Sequence, residues 1–353
     1  MSTAGGISSA EGEASVGAVV VRKADGVISA DYEHVARQSP ADRELLIEPA
    51  YMGICGSDLE QLHGRMPETF VINFPHTLGH EWSGIVTAVG AGVTDFAIGD
   101  RVLGHGDLGG NDWFGVTHDG AMADEFVVPA ALCFAVPDDV SLLTAAVIEP
   151  FTCVFTGLRK IGGVAASDIV HVYGLGAIGL SAVVQASTAG ATVVALDPSE
   201  LRRDLAIRLG ATAALDPTGS ADLADGLTDA VGSPFADLVV EASGVPSAQA
   251  MALESAGVGG RVLLMGVSTP RAVPARLGLV QQRDLLVTSS TGAPSKNWPA
   301  AIRFVERARI DLEPFVSSIL PLSAAAEAIA RAQLPGAEIK VMLRPDREFT
   351  HPY

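Results

Sequence analysis

The chain has 353 residues, of which 48% are hydrophobic and 18% charged, and its formal net charge is -18. This composition excludes a disordered polymer, because enough apolar side chains are present to form a substantial core. The net negative charge argues against nucleic acid and against anionic membrane surfaces as partners. At this length, two domains are the natural expectation.

The three cysteines, Cys55, Cys133 and Cys153, include no CxxC pair. Such a sparse, odd set favours a reducing compartment over a disulfide framework, so a cytoplasmic protein is expected. Residues 1–15 lack the basic and apolar regions of a signal peptide and are predicted to be a flexible tail. The most apolar stretch, residues 178–196, contains polar residues and glycine and is interpreted as helix plus strand rather than as a membrane span.

Short alternating strands with frequent glycine and proline fill the region from residue 16 to about residue 140. Typical strands are predicted at Gly17–Arg22, Glu44–Pro49 and Ser83–Val89. This pattern predicts a β-rich, barrel-like domain. Residues 142–158 then have a helical pattern.

From residue 168 onward the pattern changes to alternating strands and helices. Strands are predicted at Ile169–Tyr173, Thr192–Leu196, around Ala213, at Asp237–Glu241 and at Arg261–Met265. The helices predicted between them are Ala177–Ala189, Glu200–Leu209 and Ser247–Ser255. This alternation predicts a parallel, doubly wound sheet. The C-terminal segment is predicted to contain helices Trp298–Ala308 and Ser323–Ala332 and a closing strand, Glu338–Leu343.

A glycine-rich turn directly follows the first strand of this second region and opens a helix. Its residues, all candidates for cofactor binding, are Gly174, Leu175, Gly176, Ala177, Ile178 and Gly179. A GxGxxG turn in this context predicts a dinucleotide site, with the pyrophosphate at the helix N-terminus. Asp197 ends the second strand about 20 residues further on, where an acid binds the ribose hydroxyls and favours NAD over NADP. Arg202, a further candidate cofactor-binding residue, and Arg203 lie close enough to weaken that preference, and Asp197 is also a possible helix N-cap.

Two further glycine-rich stretches place a thiol, an imidazole and several carboxylates close together in sequence. They are Gly53-Ile-Cys-Gly-Ser-Asp-Leu-Glu60 and Leu78-Gly-His-Glu-Trp-Ser-Gly84. Cys, His and Glu are residue types that a catalytic zinc uses, with one coordination position left open for water or substrate. For Cys55 alone, a buried structural cysteine is the plainer interpretation.

Together these segments resemble the zinc-containing medium-chain alcohol and polyol dehydrogenases, in particular their sorbitol dehydrogenase-like branch. The resemblance extends from about residue 18 to residue 343. Further shared motifs are Gly99-Asp-Arg-Val102, Gly120-Ala-Met-Ala-Asp-Glu-Phe126 and Glu149-Pro150. The resemblance implies an α/β protein in which a Rossmann domain, residues 151–293, interrupts a GroES-like β-barrel catalytic domain. That catalytic domain is expected to comprise residues 16–150 and 294–353.

The resemblance also implies a single catalytic Zn²⁺ per chain. Its expected ligands are Cys55, His80 and Glu149, and Glu81 resembles a glutamate that can approach the metal and exchange with water. Asp58 resembles the acid that orients the histidine ligand. The alternative interpretation of Glu149 is an exposed acid at the start of a helix.

Ser57 resembles the family hydroxyl that bonds the substrate oxygen and starts a proton relay, although it could simply stabilise a turn. Glu60 and His63 are alternative outer ends of that relay. Cys153 is interpreted as a packing residue. Residues 103–120 contain no cysteine, so the structural zinc of many relatives is not expected. His105 and His118 are most simply interpreted as loop histidines, although a loop in this place could reach a substrate pocket.

The expected function is NAD-dependent oxidation of a secondary hydroxyl of a polyol, sugar or aminocyclitol. One alternative is an NAD(P)H-dependent ketone reductase of specialised metabolism, and a less favoured one is a zinc-free, non-catalytic NAD-binding relative. The expected partners are a small alcohol or ketone and further copies of the chain in a dimer or tetramer. Pocket walls are expected from residues 113–118, from those after Ser57 and from residues 291–298.

Overall fold

The structure is a computed structural model, and it describes residues 15–219, 222–267 and 272–347. The expected flexible tail, residues 1–15, lies outside the described residues except for Ser15, which begins the first strand. Within the described ranges, no helix combines the length and the apolar character needed to cross a membrane.

Residues 15–140 are rich in strands. The strands are β1 Ser15–Ala24, β2 Val27–Ala36, β3 Glu44–Gly53, β4 His76–Thr77, β5 Glu81–Val89, β6 Arg101–Gly104, β7 Asp107–Gly109, β8 Asp112–Trp113, β9 Phe126–Pro129 and β10 Cys133–Ala135. One helix, α1 Gly56–Leu62, follows β3. Asp25 and Gly26 link β1 to β2 with φ angles of 51° and 81°. Left-handed backbone at both central residues is what a tight two-residue hairpin requires.

Strands and helices then alternate, as predicted. The elements are α2 Leu142–Ala146, α3 Ile148–Lys160, β11 Ile169–Tyr173, α4 Ala177–Thr188, β12 Thr192–Leu196, α5 Glu200–Arg208, β13 Ala213–Leu215, α6 Leu223–Val231, β14 Ala236–Glu241, α7 Pro246–Ser255, β15 Ala256–Leu264, α8 Gly278–Gln282 and β16 Leu286–Ser289. The six strands pair in parallel in the order β13-β12-β11-β14-β15-β16. This order reverses direction beside β11, which is the arrangement of a doubly wound dinucleotide-binding sheet.

The last part of the chain returns to the first sheet. Its elements are α9 Trp298–Ala308, β17 Val316–Pro321, α10 Ala325–Ala332 and β18 Lys340–Arg344. Strand β18 pairs with β17 in parallel and with β3 antiparallel, so that Met342 lies opposite Gly53. The seven-stranded sheet therefore combines strands from both ends of the chain.

The single helix expected at residues 142–158 is divided in two. Helix α2 ends at Ala146, and α3 begins at Ile148. Pro150 has no N–H to donate to the carbonyl of Ala146, so an uninterrupted helix would lack a hydrogen bond at this point. Helix α3 continues through residue 150, where the two domains were expected to meet. Its buried residues share one core cluster with residues of β11, α4 and α9.

Candidate metal and dinucleotide site

The pairing of β3 with β5 brings the two glycine-rich stretches together. Gly53, the last residue of β3, lies directly opposite Glu81, the first residue of β5. Cys55 follows two residues later as the N-cap of α1, and His80 immediately precedes β5. A Cβ at Gly53 would overlap the Glu81 carboxylate. Glycine at this position therefore leaves room for that carboxylate beside Cys55 and His80.

Three potential metal ligands converge at this position. One donor atom from each of Cys55, His80 and Glu81 lies within 4.8 Å of the others. Cys55 is half-buried, whereas His80 and Glu81 are buried. The expected ligand Glu149 lies outside this compact group, and its Oε1 accepts a hydrogen bond from the Cys153 thiol at 3.3 Å.

The two ring nitrogens of His80 face different partners. Nε2 lies 3.3 Å from the Ser57 hydroxyl, and Nδ1 lies 3.6 Å from Asp58 Oδ1. The other Asp58 oxygen accepts from the Cys55 backbone N–H at 2.8 Å, which fixes the carboxylate in place. Burial opposes protonation of His80, but Asp58 and Cys55 raise the pKa of the imidazole well above its usual value. At 3.6 Å, Asp58 Oδ1 and His80 Nδ1 do not form a hydrogen bond, so Asp58 acts on the Nδ1 side of the ring through its charge.

Lys340, which sequence reasoning did not single out, belongs to the same site. Its Nζ donates to Glu81 Oε2 at 2.5 Å and to the Ile54 carbonyl at 3.2 Å. Burial opposes the charge of Lys340, but Glu81 and Cys55 raise the pKa of its ammonium. The other Glu81 oxygen is buried without a hydrogen-bond partner among the described residues. The signal available in the sequence was a lysine directly before the apolar residues Val341–Leu343 of the closing strand.

Glu149 is a buried carboxyl rather than the exposed helix-start acid of the alternative interpretation. It is 6% exposed in the first turn of α3. Burial, followed by the negative charge of Glu81, raises the pKa of Glu149 to about 7, while His80 acts in the opposite direction. Burial likewise raises the pKa of Cys153 well above its usual value, so its sulfur carries the proton that it donates to Glu149. The packing role expected for Cys153 is thus accompanied by a polar contact.

The two candidates for the outer end of a proton relay lie together near the end of α1. Arg65 donates to both Glu60 oxygens at 2.7 and 2.9 Å, and its Nη2 is 2.6 Å from His63 Nδ1. The Arg65 hydrogen bonds lower the pKa of Glu60, although partial burial opposes the shift. Because Arg65 contacts both side chains, this geometry does not select one of them.

The glycine-rich turn has the shape expected of a dinucleotide site. Gly174 has φ 85°, and a Cβ there would lie 2.6 Å from the Cβ of Ser243. A Cβ at Gly179 would overlap the Gly174 carbonyl oxygen, so α4 packs against the turn only with glycine at this position. At Gly176, by contrast, an added Cβ would meet no atom within 4 Å. This open side lies at the N-terminus of α4, where a phosphate is favoured.

Asp197 and its two neighbouring arginines form the corner beside this turn. The Asp197 carboxylate accepts from the Leu175 and Ser199 backbone N–H groups, each at 2.8 Å. Arg202 Nη1 lies 3.7 Å from Asp197 Oδ2, while Nη2 donates to the Glu338 carbonyl. Arg203 donates to the backbone carbonyl of Asp197 at 2.7 Å. The N-cap of α5 is Ser199 rather than Asp197, so the alternative role considered for Asp197 is wrong.

Comparisons with known proteins match both halves of this arrangement. A model of the alcohol dehydrogenase GroES-like domain matches residues 41–138, and one of the zinc-binding dehydrogenases matches residues 177–307. Sorbitol dehydrogenase of Gallus gallus is 31% identical, over 89% of this chain and 92% of its own length. The 2-dehydro-3-deoxy-L-galactonate 5-dehydrogenase of Pseudoalteromonas atlantica is 30% identical, over 83% of this chain and 89% of its own length. The chain belongs to the zinc-type medium-chain polyol dehydrogenase family.

Solved structures agree with this assignment. Galactitol-1-phosphate dehydrogenase of Escherichia coli superposes with a TM-score of 0.79 at 28% identity, covering 93% of this chain and all of the other. A second structure is described as a zinc-binding dehydrogenase of Sinorhizobium meliloti bound to NADP. It superposes with a TM-score of 0.84 at 29% identity, covering 94% of this chain and 100% of the other. The predicted combination of a GroES-like barrel and a Rossmann sheet is confirmed. This dehydrogenase is an oxidoreductase that uses a nicotinamide dinucleotide.

The cysteine-free region of this dehydrogenase, residues 103–120, contains the β7–β8 hairpin. His105 was expected to be an ordinary loop histidine, but its side chain is 1% exposed and its Nε2 lies 3.0 Å from the Ser295 hydroxyl. His118 is exposed, as expected for a loop residue, and faces Asp112. The contact of His105 with a residue 190 positions later could not be derived from local sequence.

Proposed function

We propose that this chain is a zinc-dependent oxidoreductase that transfers hydride between NAD(H) and a secondary alcohol, or the corresponding ketone, of a polyol, sugar or aminocyclitol. The observation that carries the proposal is the convergence of Cys55, His80 and Glu81 beside a GroES-like and Rossmann pair of domains. Thiolate, imidazole and carboxylate together are the donor set of a catalytic zinc.

The site's chemistry fits this metal. Cys55, His80 and Glu149 are the proposed ligands, and Glu81 is a carboxylate that can approach the metal while Lys340 restrains it. The buried Glu81 oxygen without a hydrogen-bond partner supports a cation at this position, since a buried carboxylate is costly without a partner. A bound zinc supplies Lewis acidity, which lowers the pKa of a substrate hydroxyl.

The remaining polar residues have proposed roles in orienting groups and moving a proton. Asp58 orients His80 from the Nδ1 side, which leaves Nε2 facing Ser57. The proposed role of the Ser57 hydroxyl is to accept the proton of the substrate alcohol, and its distance of 3.3 Å from His80 Nε2 supports this role. The pair formed by Glu60 and His63 around Arg65 is the proposed exit of that proton to solvent.

NAD is the proposed cofactor. The buried Asp197 carboxylate would repel the 2′-phosphate of NADP, and Arg202 and Arg203 already donate to backbone carbonyls. A second candidate is an NADPH-dependent ketone reductase, because two arginines at this corner could also meet a 2′-phosphate. Asp197 favours the first candidate, since its carboxylate lies directly beside the glycine-rich turn.

The substrate class follows from the relatives, which are named for sorbitol, a deoxy sugar acid and a sugar alcohol phosphate. For this chain we propose a hydroxylated carbon skeleton of similar size, oxidised at a secondary position. We also propose that the protein works as a homo-oligomer in the cytoplasm.

The decisive experiment combines metal analysis with turnover. Protein purified without chelators should contain about one zinc per chain and should form NADH from members of a panel of polyols, cyclitols and amino sugars. Cys55→Ser should lose both the zinc and the activity. Cys133→Ser is the matched control, because it removes a thiol from β10 that belongs to no proposed ligand set. Substoichiometric zinc together with activity that resists chelators would overturn the proposal.

A further inference from the structure

We propose that Trp113 is a specificity-determining residue, whose indole forms an apolar wall beside the metal site. It would select substrates that present a face of C–H bonds, such as the ring of a cyclic polyol, over small secondary alcohols. The proposal rests on the proposed function and names the part of the polyol class that this pocket favours.

Two glycines define where the indole lies. A Cβ at Gly106 would be 3.0 Å from Cε3 of Trp113 and 3.2 Å from the Cβ of His80. A Cβ at Gly292 would overlap Cη2 of the same ring and lie 2.9 Å from Cζ2. The indole therefore extends from the backbone next to a proposed zinc ligand to the segment that follows β16.

This position lies between the two parts of the site. Gly292 follows the carboxyl end of β16, and ligands of doubly wound sheets bind at the carboxyl ends of the strands. Gly106 belongs to the cysteine-free region of the first domain. A side chain in contact with both glycines borders the space in which a substrate must meet the metal and the nicotinamide.

A second set of contacts holds the β7–β8 hairpin and the segment after β16 together. The His105 ring stacks on Trp298 with centroids 5.0 Å apart, and its Nδ1 accepts from the Asp107 backbone N–H at 3.0 Å. The proton must therefore be on Nε2, which donates to the Ser295 hydroxyl at 3.0 Å. Burial lowers the pKa of His105 to about 4, so the ring stays neutral at pH 7 and keeps this arrangement.

The exposure of the three tryptophans also distinguishes Trp113. Trp82 and Trp298 are 1% and 0% exposed, as expected of core residues. Trp113 is only partly buried, although its ring is in close contact with glycine backbone at two points. An indole that is fixed by its surroundings and keeps an accessible face can offer apolar contact area at little entropic cost.

The test compares Trp113→Ala and Trp113→Phe with the wild-type, zinc-loaded enzyme. The panel contains cyclic polyols, linear polyols and 2-butanol, with kcat and KM measured separately. Trp113→Ala should lower kcat/KM for cyclic polyols by about tenfold, mainly through KM, because it removes an apolar pocket contact. In the same variant, kcat/KM for 2-butanol and the KM for NAD should change by less than about twofold. Trp113→Phe should retain most of the activity on cyclic polyols.

Leu108→Ala is the matched control, because Leu108 lies on the same hairpin with its side chain exposed. It should leave the substrate profile unchanged. An equal loss for all substrates in Trp113→Ala, or no loss for any, would overturn the specificity role while leaving the proposed function intact.

If the wild-type enzyme oxidises no polyol, the proposed function fails, and tryptophan fluorescence then tests Trp113 separately. A cyclic polyol added to the zinc-loaded protein should shift the emission of the wild type and of Leu108→Ala but not that of Trp113→Phe. No shift in the wild type, or the same shift in Trp113→Phe, would overturn the inference.

Discussion

We expect His171 to make the stability of the dinucleotide-binding sheet depend on pH. It lies in β11, three residues before Gly174, and its side chain is fully buried. Neither ring nitrogen has a hydrogen-bond partner among the residues that the structure describes. Burial lowers the pKa of His171 to about 4, with the charge of Asp237 opposing the shift.

The sign and size of the effect follow from proton binding. Below about pH 6.5 the unfolded chain binds a proton at this imidazole, whereas the folded protein does so only near pH 4. The neutral ring therefore makes its full contribution to the free energy of unfolding above about pH 6.5, and this contribution is lost as the pH falls. Between pH 7.5 and pH 5.5 the expected loss from this one histidine is about 1.4 kcal/mol.

His171→Leu removes the titrating group and keeps an apolar side chain in the sheet. The free energy of unfolding is measured by urea unfolding, followed by circular dichroism, at pH 7.5 and pH 5.5. Both pH values lie above the sequence pI of 4.7. The variant should lose about 1.4 kcal/mol less stability than the wild type on acidification. His34→Leu, at an exposed position of β2, is the control and should behave like the wild type. Equal losses in His171→Leu and the wild type would refute the reasoning.

Three further predictions concern the metal and cofactor sites. Asp58→Asn should weaken zinc binding about 10- to 100-fold in competition with a chromogenic chelator, and unchanged affinity would contradict its orienting role. Asp197→Ala should weaken NAD far more than NADP in fluorescence titrations, whereas an equal loss for both would refute the assignment of NAD. Gly176→Ala should weaken dinucleotide binding without changing the melting temperature, because its Cβ meets only open space. Gly179→Ala should weaken binding and also lower the melting temperature, because its Cβ would overlap the Gly174 carbonyl oxygen. Equal melting temperatures for the two variants would contradict this geometry.

Much of the fold could be predicted because local patterns and the family motifs agree with the tertiary structure. Helix Trp298–Ala308 was predicted with both of its ends correct. Its start is marked by a proline in the first turn, where a missing N–H costs little. The strands Ile169–Tyr173 and Thr192–Leu196 were also predicted correctly, because strands buried on both faces have continuous apolar sequences.

The contacts that complete the site depend on register between distant segments, which local sequence does not encode. Lys340 reaches Glu81 only because β18 pairs with β3, and β3 with β5. His105 reaches Ser295 across 190 residues of sequence. The sequence suggested Glu149 as a ligand by resemblance, but its hydrogen bond with Cys153 requires knowing that the helix begins at Ile148.

The pairing of β18 with β3 has a consequence for the order in which the protein can be completed during synthesis. The six parallel strands are contiguous in the chain and can assemble once residue 289 has been made. The sheet next to the proposed metal ligands is incomplete until residues 340–344 are available, because β18 pairs with Met52 and Gly53 at the end of β3. Lys340 therefore reaches Glu81 only at the end of synthesis, and a chain truncated before β18 should lack the ammonium that restrains the Glu81 carboxylate, while still containing the proposed ligands Cys55, His80 and Glu149.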